Sequence, residues 1–138
     1  MIVEAGPEPI KRSFYTHPDD LTRMHVTNGN ASFDRKRYDE AISHFTRAAG
    51  TGTKFAIVHY NLGCAYLASE SPWYASMSFD KAVNRKPNFK ESYYNGAIAC
   101  ARLGYFESSK LRLLKAVNID ANYRKARNRL NDLKEKHP

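Results

Sequence analysis

HYNLGCAYLASESPWYASMSFDKAVNRKP, residues 59–87, decides how the chain folds. Small residues stand at Gly63, Ala75 and Ala82, large ones at Leu62, Tyr66 and Phe79, and Ser71-Pro72 separates two segments of helical character. A serine before a proline marks the entry to a helix, and Pro87 marks the end of the second. The stretch predicts two helices joined by a tight turn. Such helices approach closely only where small side chains face each other, so Gly63 is expected to oppose Ala75, with Ala82 repeating the small residue one face further along. Tyr66 and Phe79 are the large fillers.

The same arrangement recurs at an interval of 34 residues. Ala41, Phe45 and Ala48 return as Ala75, Phe79 and Ala82 and again as Ser109, Leu113 and Ala116, while Gly29 returns as Gly63 and then as Ala97. The first copy keeps Tyr38 but has Asn28, Ser32 and Thr53 where the middle copy has Leu62, Tyr66 and Pro87, and the third has Ala121 in place of the proline. One hairpin cannot bury its apolar stripe alone, so each copy needs a neighbour, and about three copies make a stable stack. Helices are predicted near 19–34, 38–49, 54–69, 72–85, 89–103, 106–118 and 121–136, with Gly50 and Gly104 at helix ends and Asp120 capping the last. In that last helix Tyr123, Ala126, Leu130 and Leu133 form one stripe. Residues 1–18, with Pro7, Pro9 and Pro18, are read as an extended arm whose Ile10, Phe14 and Tyr15 could dock on a body spanning 19–138.

Leu62-Gly63, Tyr66, Ala75, Phe79, Ala82 and Pro87 together resemble the tetratricopeptide repeat, whose pattern is W-x2-L-G-x2-Y, A-x3-F and a late proline. The resemblance covers residues 22–123, as repeats over 22–55, 56–89 and 90–123. It implies an all-α fold, a right-handed α-α superhelix of seven helices closed by a capping helix over 121–136. In this architecture the first helix of each pair lines a concave groove.

Composition narrows the function. The chain has 138 residues, 42% of them hydrophobic and 26% charged, and no apolar run near the roughly 20 residues a bilayer needs. Its start, MIVEAGPEPIKRSF, does not resemble a secretory signal, so a cytoplasmic, reducing location is expected. Cys64 and Cys100 have no CxxC or Cys/His ligand spacing and read as small buried fillers. The net charge of +8 attracts acidic peptides, nucleic acid or anionic membrane without choosing among them. There is no Gly-x-Ser-x-Gly elbow, phosphate loop, HExxH or dinucleotide fingerprint, so neither an enzyme nor a cofactor is expected.

Candidate binding residues follow from the groove-lining helices. Asn61 and Asn95 lie one period apart, and Asn30 stands a helical turn away in the first hairpin. An amide both donates and accepts, so it grips a peptide backbone whatever the side chains are. Tyr60 and Tyr94, also one period apart, and Phe33 supply flat contact area, and at least one tyrosine hydroxyl is expected to reach the groove. Arg102, Lys125 and Arg129 favour acidic ligands.

Family members that capture the acidic C-terminus of heat-shock chaperones use two lysines, an arginine and two asparagines. Asn30 and Asn61 match those asparagines, but Val26, Glu91 and Asn95 stand where the cations belong, and Lys90 is one residue out of place. Arg124, Lys125, Arg127 and Arg129 read as a solvated capping helix rather than a nucleic-acid footprint, since Asp132 and Glu135 dilute their field. His25 and His59, one period apart, read as packing residues rather than metal ligands. The sequence thus points to an adaptor that holds an extended or acidic segment of another protein and acts as a monomer. A secretion-type chaperone, which would dimerise, a heat-shock cochaperone and, behind them, a nucleic-acid binder are the alternatives, and a groove filled by the N-terminal arm itself is a further one.

Overall fold

The structure, a computed structural model, describes residues 6–10, 20–51, 53 and 55–138. Among these residues are seven helices and no strand: α1 Asp20–Asp34, α2 Tyr38–Ala49, α3 Ala56–Ala68, α4 Pro72–Arg85, α5 Lys90–Arg102, α6 Phe106–Ile119 and α7 Arg124–Lys136. Each packs chiefly on its neighbours in the chain, giving the stack of hairpins that the 34-residue spacing predicts and the superhelical fold that the resemblance implies. None is long and apolar enough to cross a membrane.

Asp120 departs from its expected role. It ends α6 instead of capping α7: one carboxylate oxygen accepts the Asn122 N–H at 2.9 Å and the other takes the Lys90 ammonium at 2.5 Å. That turn delays α7 to residue 124. Ser71 precedes Pro72 as expected, yet its hydroxyl makes no cap and instead lies 3.4 Å from the Ser69 hydroxyl.

The repeat is written into the turns as well. Lys36, Glu70 and Gly104 have φ of 59°, 63° and 80°, and they stand one period apart. Each hairpin therefore turns through a left-handed residue. That conformation costs a side chain roughly 1–2 kcal/mol and a glycine far less, so the first two hairpins hold their turns through packing and the third through its glycine.

Packing explains the glycines differently from the expectation. A Cβ on Gly63 would lie 2.6 Å from the Phe79 ring, and one on Gly29 would lie 2.5 Å from the Phe45 ring. A side chain at Gly63 would thus meet the Phe79 ring first, so the glycine makes room for that ring. In the third hairpin the equivalent pair is Ala97 with Leu113, both fully buried in one cluster. A methyl is admitted there because the facing ring has become a smaller leucine.

Polar groups tie the hairpins together. The buried Ser92 hydroxyl donates to the Phe79 carbonyl at 2.9 Å, and the Ser109 hydroxyl to Ala97 at 2.8 Å. Arg112 on α6 reaches Asp80 on α4 with both terminal nitrogens. Ala126, Leu130 and Leu133 bury one stripe of α7 and close the stack, as the sequence predicts.

Candidate functional site

Period 34 places one face of α3, α5 and α7 side by side, and a cavity of about 630 Å³ opens on that face. Tyr60 contributes from α3, and Glu91, Tyr94, Asn95, Ile98, Ala101 and Arg102 from α5. Tyr123, Lys125 and Arg129 close the far side, and Gly6, Pro7 and Glu8 of the arm form the near edge.

Its walls are rigid. The Tyr60 ring stacks on Phe89 with centroids 4.8 Å apart and leans on Phe79, and the Asn95 side-chain amide donates to the Tyr60 hydroxyl at 2.8 Å. The Tyr94 ring tilts against Tyr123 at 5.4 Å, with the Arg129 guanidinium 5.6 Å from its centroid, a cation–π distance. Arg102 donates to the Leu67 carbonyl at 3.2 Å, so its positive charge sits at the C-terminal, electronegative end of α3. Lys90 lies beyond the cavity, held by Asp120.

Burial pushes the Tyr60 hydroxyl and the Cys64 thiol above their ordinary values, and a hydrogen bond joins the two. Both stay protonated at neutral pH, so this wall offers hydrogen bonds and apolar area and no nucleophile.

The arm meets the same face. Asn61, fully buried, accepts the Ile10 N–H at 2.8 Å through its side-chain oxygen and donates its amide to the Ile10 carbonyl at 3.2 Å. Ile10 packs on the cluster containing Tyr60, Cys64, Leu67 and Phe89, and Pro9 is buried. The backbone grip argued from the chemistry of an amide is therefore made, by one asparagine, on the chain's own N-terminal segment. Phe14 and Tyr15 lie outside the described residues.

Of the nine residues the sequence singles out for binding, Tyr60, Tyr94, Asn95, Arg102, Lys125 and Arg129 line the cavity, and Asn61 lies beside it under the arm. The other two do not join them. Phe33 does not line the cavity: it meets Tyr38 edge-on at 5.2 Å and packs on the Phe45–Leu62 cluster and on the Tyr60–Leu67 cluster that Ile10 also covers. Asn30 stands in the first hairpin with its side-chain oxygen buried and without a hydrogen-bond partner. Val26 is buried against Ala48 and Val58. Ala101 is not picked out by sequence, whereas the proline-bearing arm is read there both as docking through Ile10 and as an occupant of the groove, and residues 6–10 lie in that place.

No protein-family model matches the chain. It is 31% identical over 91 residues to the serine/threonine-protein phosphatase T of Trypanosoma brucei brucei, covering 66% of this chain and 19% of that protein. It is 27% identical over 104 residues to the STIP1 homolog of Dictyostelium discoideum, covering 75% and 18%. The chain thus spans about a fifth of the length of the curated relatives it matches. Among solved structures, the first TPR of Spaghetti (RPAP3), bound to the HSP90 peptide SRMEEVD, superposes with a TM-score of 0.81 at 21% identity, covering 88% of this chain and 98% of that one. The TPR2B domain of yeast Sti1 in its Hsp70 complex gives 0.80 at 18%, covering 86% and 100%. The Yersinia enterocolitica secretion chaperone SycD, in complex with a peptide of the translocator YopD, gives 0.81 at 14%, covering 90% and 100%.

Proposed function

This chain has the tetratricopeptide-repeat fold, three repeats and a closing helix, and from that premise we propose that it is an adaptor holding an extended, acidic segment of another protein on its inner face. One observation carries the reading: Arg102, Lys125 and Arg129 gather around a single cavity walled by Tyr60 and Tyr94, with Glu91 the one opposing charge that the described helices bring to it. Charge-assisted hydrogen bonds from such cations are each worth roughly 1.5–3 kcal/mol, and the rings supply contact area at low entropic cost. The RPAP3 and Sti1 domains, captured with chaperone segments, support the reading by their shared fold.

Val26 is buried, Glu91 faces the cavity and Asn95 is tied to Tyr60, so the positions where chaperone-tail binders carry cations are otherwise employed. The positive charge has moved to the end of α5 and to α7. An acidic group of the ligand accordingly lies between those helices.

The test is a titration of fluorescein-labelled SRMEEVD into the full chain, followed by anisotropy. Arg102→Ala/Arg129→Ala weakens binding by about tenfold or more, since 1.4 kcal/mol is a factor of ten, and raising salt weakens it further. Helical content stays unchanged. Equal affinity of the double variant and the parent rejects the proposed site.

A further inference from the structure

We propose that residues Gly6 to Ile10 are an intramolecular ligand: the arm occupies part of the groove in the manner of a partner segment, so arm docking and partner binding exclude each other. The inference rests on the adaptor reading for its consequence and on the arm's own geometry for its content.

Three features make this segment a ligand in kind. It forms neither helix nor strand over residues 6–10, and Pro7 and Pro9 bias the residue before each away from helix. Its backbone is read at Ile10 through both N–H and C=O by one buried amide, a contact indifferent to side chain and hence open to any extended chain. Glu8 lies at the cavity that gathers three cations, while Ile10 enters the apolar cluster below. An acidic residue two positions before an apolar one, with a proline between, is therefore the pattern the groove accepts. A partner segment of that pattern takes the place of the arm.

The arm is held weakly enough to leave. Two neutral hydrogen bonds and the covering of Pro9 and Ile10 offset the ordering of five residues only narrowly. Gly6 and Glu8 are exposed, and nothing lies within 4 Å of a Cβ built on Gly6. The arm belongs to the same chain as the groove, so its docking is intramolecular and a partner in solution competes against it; release of the arm raises the partner's apparent affinity by the inverse of the undocked fraction. Departure of Glu8 also removes an acid from the lining of the cavity that holds those cations.

Pro9→Gly/Ile10→Gly in the full chain detaches the arm while leaving every helix intact. The probe is fluorescein-labelled Gly-Pro-Glu-Pro-Ile-amide, the sequence of residues 6–10. It binds the double-glycine chain about tenfold or more tighter than the intact chain, and adding Asn61→Ala removes the gain. By amide exchange, the Ile10 N–H is protected in the intact chain and unprotected in Asn61→Ala, a readout independent of any peptide. Equal binding of the probe to intact and double-glycine chains, or no binding to either, overturns the proposal. Labelled SRMEEVD separates the two claims. If it binds neither chain while the arm probe behaves as stated, the acidic-ligand reading fails and the intramolecular ligand stands; if it binds both chains equally, the arm does not compete and the reverse holds.

Discussion

Gly63→Ala destabilises the chain by about 1–3 kcal/mol, the overpacking range for a filled core, and Phe79→Leu introduced beside it restores a large part of that loss. The added methyl would stand 2.6 Å from a ring that is itself fully buried, so the ring has no open direction in which to swing. Phe79→Leu alone leaves a small cavity and costs roughly 1–2 kcal/mol. In combination the two changes reproduce the Ala97–Leu113 pair that the third hairpin already uses. The coupling between them is therefore favourable by about 1–2 kcal/mol. Urea unfolding of the parent, both single variants and the double variant measures it. Additive losses would mean that the glycine answers to some neighbour other than the ring.

His59 governs the acid side of the stability curve. It is buried, with its Nε2 lacking a hydrogen-bond partner, and burial first and then the charges of Arg85 and Lys81 lower its pKa to about 4. In the unfolded chain the imidazole titrates near 6.5. Between those values the unfolded state takes up a proton that the folded state refuses, so the contribution is complete above pH 6.5, is lost as pH falls towards 4, and changes no further below. The loss amounts to about 3 kcal/mol. Comparing denaturant midpoints at pH 7 and pH 4.5 in the parent and in His59→Leu isolates this share from that of the carboxylates. The parent should lose more stability over the interval than the variant, and parallel losses would place the imidazole in contact with water.

What the sequence disclosed and what it withheld have one physical origin. Positions 34 apart come to lie side by side, so the helices, the buried row of Ala41, Phe45, Ala75, Phe79 and Ala116, and the shared face of Tyr60, Tyr94 and Asn95 could all be read from spacing. Contacts between the two members of a hairpin depend on where the turn falls, and the closeness of Gly63 to the Phe79 ring could not be read from spacing alone. Left-handed turns at Lys36 and Glu70 gave no signal, since only Gly104 has the residue that such a conformation favours. Phe33 and Asn30, read from the first helix as groove positions, do not line the cavity, which is built from α3, α5, α7 and the arm. The pairing of Asn61 with Ile10 joins residues 51 apart, across a segment that belongs to no repeat. Nothing periodic encodes such a contact; the sequence offers Ile10 as a docking residue, but its partner Asn61 comes only from the structure.

Everything functional rests on the inner face of α3, α5 and α7 being where a partner segment binds. Backbone amide chemical shifts of the full chain, recorded while unlabelled SRMEEVD is added, test this most directly. The largest changes should fall on Tyr94, Asn95, Arg102, Lys125 and Arg129, together with Ile10 as the arm gives way. Changes gathered instead on the outer helices α4 and α6, around Trp73 and Leu111, would contradict it.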